Sequence, residues 1–174
     1  MLIIFGGLPG TGKTTIARLV ARACGATFLR ADDIEFAIHA SGVVPGDMGP
    51  AGYMVGYALA EANLKLGQTV VADSVNPLCI TREAWRLAAT AASAPVLEVE
   101  IICSDRDEHR RRVETRTSDI PGFTVPDWAA VVARHYEPWP EPHMVIDTAS
   151  ISASDAAAQI IDAARCIRDS ASGK

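Results

Sequence analysis

The run Gly7-Leu8-Pro9-Gly10-Thr11-Gly12-Lys13-Thr14 fits G-x-x-x-x-G-K-[ST] at every fixed position. No other stretch constrains the fold as much. A short apolar segment, residues 2–5, precedes it, and residues 13–24 follow with Ile16, Leu19, Val20 and Ala23 at helical spacing. Strand, glycine loop and helix in that order make an anion nest. Glycines let successive backbone N–H groups turn inward, and the helix N-terminus adds its dipole. The pattern assigns Gly7, Gly10, Thr11, Gly12, Lys13, Thr14 and Thr15 to phosphate binding. Lys13 is expected to reach the β- and γ-phosphates of a nucleoside triphosphate, and the Thr14 hydroxyl to ligate Mg²⁺. The motif does not say what becomes of the γ-phosphate.

The rest of the chain alternates between the two periodicities. Strands are expected at 26–30, 68–73, 95–103 and 143–147. Helices are expected at 32–40, 51–66, 81–93, 105–118, 126–136 and 154–168, with a loop at 41–50, another around residues 120–122, and a frayed end over 169–174. This order predicts an α/β sandwich around a parallel sheet, in one domain over residues 1–174. Apolar residues at 49% and charged residues at 21% exclude a disordered chain, a collagen-like chain and a coiled coil. No run of about 18 apolar residues offers a membrane span, and the opening MLIIFGG lacks the basic region of a signal peptide. Cys24, Cys79, Cys103 and Cys166 show no metal-ligand spacing and read as reduced apolar fillers, which favours a cytoplasmic protein. The net charge of -5 opposes a polyanion partner, while five of the thirteen arginines cluster between Arg106 and Arg116 and suit a small anionic ligand.

The segments GLPGTGKTTIAR, RADDIEFAI, VVADSVNP, TREAW and EHRRRVETR lie within a stretch from Leu2 to about Ile161. Together they resemble the small P-loop kinases that include chloramphenicol phosphotransferase, zeta-toxin-like kinases and the 5′-hydroxyl polynucleotide kinase domain. The resemblance implies a three-layer fold on a five-stranded parallel sheet in order 2-3-1-4-5, an Arg-bearing helical lid over about residues 105–126, ATP and Mg²⁺ as cofactors, and phosphoryl transfer to a hydroxyl. It implies that Asp32 takes the proton of the attacking hydroxyl and that Asp73 holds Mg²⁺, directly or through water. It further implies that Arg112 and Arg116 close over ATP, with Arg110 and Arg111 in reserve, and that Asp147-Thr148 lies against the adenine. The residues themselves leave alternatives open. Asp32 or Asp33 can cap the helix at 32–40, and the two can exchange roles. Asp73 can close an Asx turn. The segment 105–119, with Val113 as its one aliphatic residue, can be a solvated helix whose Arg112 and Arg116 share a face.

An acceptor is expected between the helices at 32–40 and 51–66, against Asp32, Glu35, Phe36, His39, Tyr53, Tyr57, Asn76 and Arg82, with the loop 41–50 shaping its mouth. Phage-type polynucleotide kinases carry an arginine where this chain has Glu35, and an acidic residue cannot grip an acceptor phosphate. Shikimate kinases carry a glycine triplet that DSVNP lacks, and adenylyl-sulfate kinases a DGD-x-x-R that RADDIE lacks. Three functions stay in play. The first is a kinase for a hydroxyl on a small metabolite, nucleoside, sugar or antibiotic, with nucleic acid disfavoured and the protein a monomer or homodimer. The second is a polynucleotide 5′-hydroxyl kinase. The third is a nucleotide-binding ATPase or switch that transfers nothing.

Overall fold

The sheet is built of β1 (Leu2–Gly6), β2 (Thr27–Arg30), β3 (Val70–Asp73), β4 (Val96–Ile102) and β5 (Met144–Asp147). All pairings are parallel, in the order β2-β3-β1-β4-β5, the arrangement the resemblance implied. The computed structural model describes residues 1–43, 46, 48–118, 120 and 125–172. Its helices are α1 (Lys13–Cys24), α2 (Ala31–Ala40), α3 (Ala51–Lys65), α4 (Cys79–Ala91), α5 (Arg106–Thr115), α6 (Trp128–Val132) and α7 (Ala153–Ser172).

Alternation along β1 sorts its side chains into two cores. Ile3 and Phe5 pack with Ile16 and Val20 of α1 and Ile160 of α7. Leu2 and Ile4 face the other way, onto Ala60 and Leu64 of α3 and Trp85 and Ala89 of α4. A strand buried on both faces reads as a continuous apolar run, which is why residues 2–5 carry no polar residue. All five strands end on one edge, so Gly6, Arg30, Asp73, Ile102 and Asp147 converge beside the glycine loop.

The boundaries depart from expectation in places with a physical cause. α6 is confined to Trp128–Val132 rather than spanning 126–136. Beyond it the chain is drawn across α4: Glu137 N–H donates to the Pro77 carbonyl at 2.8 Å, and Arg82 binds the carbonyls of Glu137 and Pro138 at 3.2 and 2.8 Å. In return the Glu137 carboxylate accepts from the Cys79 N–H at 2.6 Å and caps α4 two residues before its expected start. α5 stops at Thr115, and Arg116 is extended (ψ 144°), so Arg112 and Arg116 do not share a helix face. α7 continues to Ser172, where fraying was expected from residue 169; residues 173 and 174 lie outside the described residues. All four cysteines are free thiols. No described helix is long and apolar enough to cross a membrane.

Candidate active site

The loop between β1 and α1 is shaped by glycine backbone. Gly12 sits at the N-cap of α1 with φ 94°, and no side chain caps the helix, so the first-turn N–H groups face the space where an anion would lie. Gly10 has φ 87°, and a Cβ there would stand 2.4 Å from Val113 Cγ2 of α5. Lys13 is buried and donates from Nζ to the Leu8 carbonyl at 3.0 Å. Burial pushes the Lys13 ammonium down to about 8, and the carboxylates of Asp73 and Asp32 act in the opposite sense.

This loop forms one wall of a cavity of about 650 Å³. Lys13, Thr14, Thr15, Asp32, Glu35, Tyr53, Asp73, Arg112 and Arg116 all line it. Asp73, at the end of β3, is 3% exposed. Burial raises its pKa, opposed by Lys13, by a hydrogen bond from Thr14 and by Arg30. Its Oδ2 has no hydrogen-bond partner. A buried carboxylate oxygen without a hydrogen bond, beside the Thr14 hydroxyl, is a hard-oxygen donor set that fits Mg²⁺. Among the described residues no group of three or more His, Cys, Asp or Glu forms a metal cage. A magnesium ion held largely by phosphates and waters requires none.

Asp32 does not cap α2. The N-cap is Arg30, without a side-chain cap bond, and Asp32 lies in the first turn. Its carboxylate accepts from Arg30 Nη2 at 3.3 Å and faces the cavity, whereas Asp33, its side chain 49% exposed, is not part of the lining. Arg30 also reaches Asp33 at 3.4 Å and Asp73 at 3.9 Å, joining three carboxylates at the sheet edge. One turn along α2, Glu35 is half-buried and packed so closely on α3 that a Cβ at Gly52 would lie 2.2 Å from its Cγ. Burial raises the Glu35 pKa, Asp32 adds to the rise and Arg134 opposes it. The Tyr53 phenol accepts from the Asn76 N–H at 3.3 Å beside Ser74, and burial raises its pKa.

The two arginines of the expected lid do different things. Arg112 is engaged with Thr148, donating to Oγ1 at 2.8 Å and to the carbonyl at 3.1 Å, and with Glu108 at 2.7 Å. Arg111 and Arg112 pull the Glu108 carboxyl down to about 2. Arg116 turns into the cavity with a buried, unpartnered Nε. Burial lowers its pKa, and Asp32 is the largest opposing influence. α5 is solvated over most of its surface but seated along one edge: His109 and Val113, one turn apart, are buried against the glycine loop, and His109 Nε2 lies 2.9 Å from the Pro9 carbonyl oxygen. Of the expected lid, Asp119 and residues 121–124 lie outside the described residues; Arg111, Arg112, Thr115 to Ser118, Val125 and Pro126 line the cavity.

Several expected site residues lie elsewhere. Asn76 is fully buried with φ 49°; its Nδ2 donates to the Phe5 carbonyl at 2.7 Å and its Oδ1 accepts from Trp85 Nε1 at 3.0 Å. Arg82, 1% exposed, is enclosed by backbone carbonyls and stacks 4.8 Å from the Trp139 ring. Tyr57 packs edge-on to Trp85 and donates to the Thr81 carbonyl at 3.2 Å. Phe36 and the exposed His39 are outside the lining. Asp147 closes its own turn, accepting from Ser104 and Ala149 N–H groups at 3.0 Å each. Thr148 is buried between Thr11 and Arg112 rather than open to a base. None of the described residues of 41–50 lines the cavity, and residues 44, 45 and 47 lie outside those described. Sequence reasoning missed Arg30, Ser74, His109 and Arg134. Only Arg30, closing a strand on the edge that carries the motif, had a signal in the sequence.

A family model for the AAA domain matches residues 2–136. An uncharacterised protein of Mycobacterium tuberculosis, Rv2004c, is 35% identical over 163 residues; the match covers 85% of this chain, which spans only 32% of that protein's length. Among solved structures, a candidate kinase from Chloroflexus aurantiacus superposes with a TM-score of 0.73 at 22% identity, covering 95% of this chain and 96% of that one. The Mycobacterium tuberculosis APS kinase CysC, in complex with AMPPNP and APS, superposes with a TM-score of 0.63 at 23% identity, over 92% of this chain and 95% of that one. At these identities the likeness shows a shared P-loop fold.

Proposed function

The chain belongs to the AAA domain family, and from that premise we propose that it is an ATP- and Mg²⁺-dependent kinase that phosphorylates a hydroxyl of a small molecule. One observation carries the reading: the Asp32 carboxylate, free of any capping role, faces the cavity that Lys13, Thr14 and Arg116 also line. A carboxylate there can orient an acceptor oxygen and take its proton, and Glu35 on the same wall opposes the phosphate of a nucleic-acid acceptor.

The backbone of the glycine loop and Lys13 hold the β- and γ-phosphates of ATP. Thr14 and, directly or through water, Asp73 would hold Mg²⁺, which would supply neutralisation of phosphate charge. Asp32 orients the acceptor hydroxyl in line with the γ-phosphorus and accepts its proton. Arg116 and Lys13 stabilise charge on the transferring group, and the wall formed by Thr115 to Ser118 with Val125 and Pro126 excludes water. Glu35 and Tyr53 are the side chains best placed to select the acceptor. The candidate kinase from Chloroflexus aurantiacus and APS kinase support the reading through fold alone.

The test incubates the protein with γ-labelled ATP, Mg²⁺ and a cell extract separated by size. Label on a small molecule is the expected result and delivers the product for identification. Label on large species only, or released as free phosphate only, overturns the reading. Asp32→Asn is expected to bind ATP as the wild type does and to transfer about 10²–10⁴-fold more slowly; full transfer would remove Asp32 from the mechanism.

A further inference from the structure

We propose that His109 is a positioning residue for the glycine loop: its Nε2–H fixes the Pro9–Gly10 peptide so that the Gly10 N–H turns toward bound phosphate. This rests on the nucleotide-binding reading and concerns the part of the site that binds triphosphate. A trans peptide is planar, so its C=O and N–H point in opposite directions, and the chain has no cis bond among the described residues. The Pro9 carbonyl points outward to His109 Nε2, 2.9 Å away. The Gly10 N–H of the same peptide therefore points to the concave side, and Gly10 lines the cavity.

Something has to select this orientation. Glycine tolerates both signs of φ, so the peptide before Gly10 flips at little steric cost. Proline fixes its own φ but leaves its ψ, and hence its carbonyl, free to rotate. The neighbouring Leu8 carbonyl is held within the loop by Thr11 N–H, Thr11 Oγ1 and Lys13 Nζ at 3.4, 2.9 and 3.0 Å. Among the described residues the donor to the Pro9 carbonyl is His109, on a different element.

That donor is itself held. Asp105 caps α5 by accepting from the Asp107 and Glu108 N–H groups at 3.0 Å each. The imidazole is 7% exposed and meets the Trp128 ring edge-on at a centroid distance of 5.2 Å. Trp128 opens α6, so both ends of the segment that carries Arg116 into the cavity are tied to one ring. The seam is tight: a Cβ at Gly10 would stand 2.4 Å from Val113 and 3.3 Å from His109 Cδ2.

The test compares wild type, His109→Met and His109→Gln for ATP affinity by titration calorimetry, with melting temperature alongside. Met fills the seam without a donor, and Gln restores an N–H. His109→Met is expected to lose roughly tenfold or more in ATP affinity, and His109→Gln to recover most of it. Equal loss in both variants, or loss in neither, overturns the proposal. A wild type that does not bind ATP overturns the nucleotide reading together with it, which separates the two failures. Should His109→Met fail to fold, the wild type still decides. On ATP addition the ¹⁵N amide resonance of Gly10 is expected to move with those of Lys13 and Thr14, and a Gly10 resonance that stays put while those two move refutes the assignment.

Discussion

Replacing Asn76 by alanine separates a structural residue from an acceptor contact. The side chain satisfies the Phe5 carbonyl at 2.7 Å and the Trp85 indole N–H at 3.0 Å, both buried. Truncation orphans the two groups at about 1–3 kcal/mol each. The backbone adds to this: Asn76 has φ 49°, a left-handed conformation that costs alanine about 1 kcal/mol more than asparagine. The total, about 3–7 kcal/mol, is a large share of the roughly 5–15 kcal/mol that holds a domain folded. At about 2–4 °C per kcal/mol for a chain of this length, the melting temperature falls by about 6–28 °C. Asn76→Gly relieves the backbone cost and regains about 1 kcal/mol while leaving both groups orphaned. Urea denaturation checks the values, with an unchanged slope identifying a pure stability effect. A variant within about 1 kcal/mol of wild type, or one of full stability with weakened acceptor affinity, would refute the assignment.

Two further predictions follow the electrostatics. Burial pushes Lys13 down to about 8. Between that value and the ordinary lysine value of about 10.4 the unfolded chain carries a proton the folded chain has released, so this group's contribution to stability rises with pH through the window. Lys13→Met is expected to flatten that rise in denaturation curves of the ligand-free protein, and parallel curves would contradict the burial argument. Arg116→Ala is expected to slow transfer by roughly 10²–10³-fold with little loss of stability. Arg112→Ala, which takes one donor from Glu108 while Arg111 remains, and two hydrogen bonds from the buried Thr148, is expected to destabilise by about 1–2 kcal/mol; paired kinetics and denaturation show the opposite pattern if the roles are reversed.

The phosphate loop was legible because its chemistry is written contiguously: the glycines, Lys13 and Thr14 act within one turn of backbone. Helix and strand positions were legible for the same local reason. The acceptor wall was not. Arg82 and Asn76 carry groups that bind ligands in some folds and neighbours in others, and here their partners sit on residues as distant as Pro138 and Phe5. Arg116 was placed on a helix face because nothing in RRVETRTS marks the end of α5 after Thr115. His109 went unnoticed because a single histidine in a charged helix acquires meaning only when the glycine loop is brought beneath it.

The sheet also imposes an order in time. β1 is the first strand to be synthesised and the most completely buried, yet its register partners begin at Val70 and Val96. At about 5–20 residues per second of synthesis, the ribosome takes roughly 5–20 s more to deliver the second flank. Until Val70–Asp73 is made, the segment Leu2–Gly6 is an apolar strand with two unpaired edges, and one of them stays open until Val96–Ile102 follows. The central strand of this fold therefore waits longer for its partners than any other strand waits for its own, and for that time LIIF offers an edge on which another copy of itself could pair.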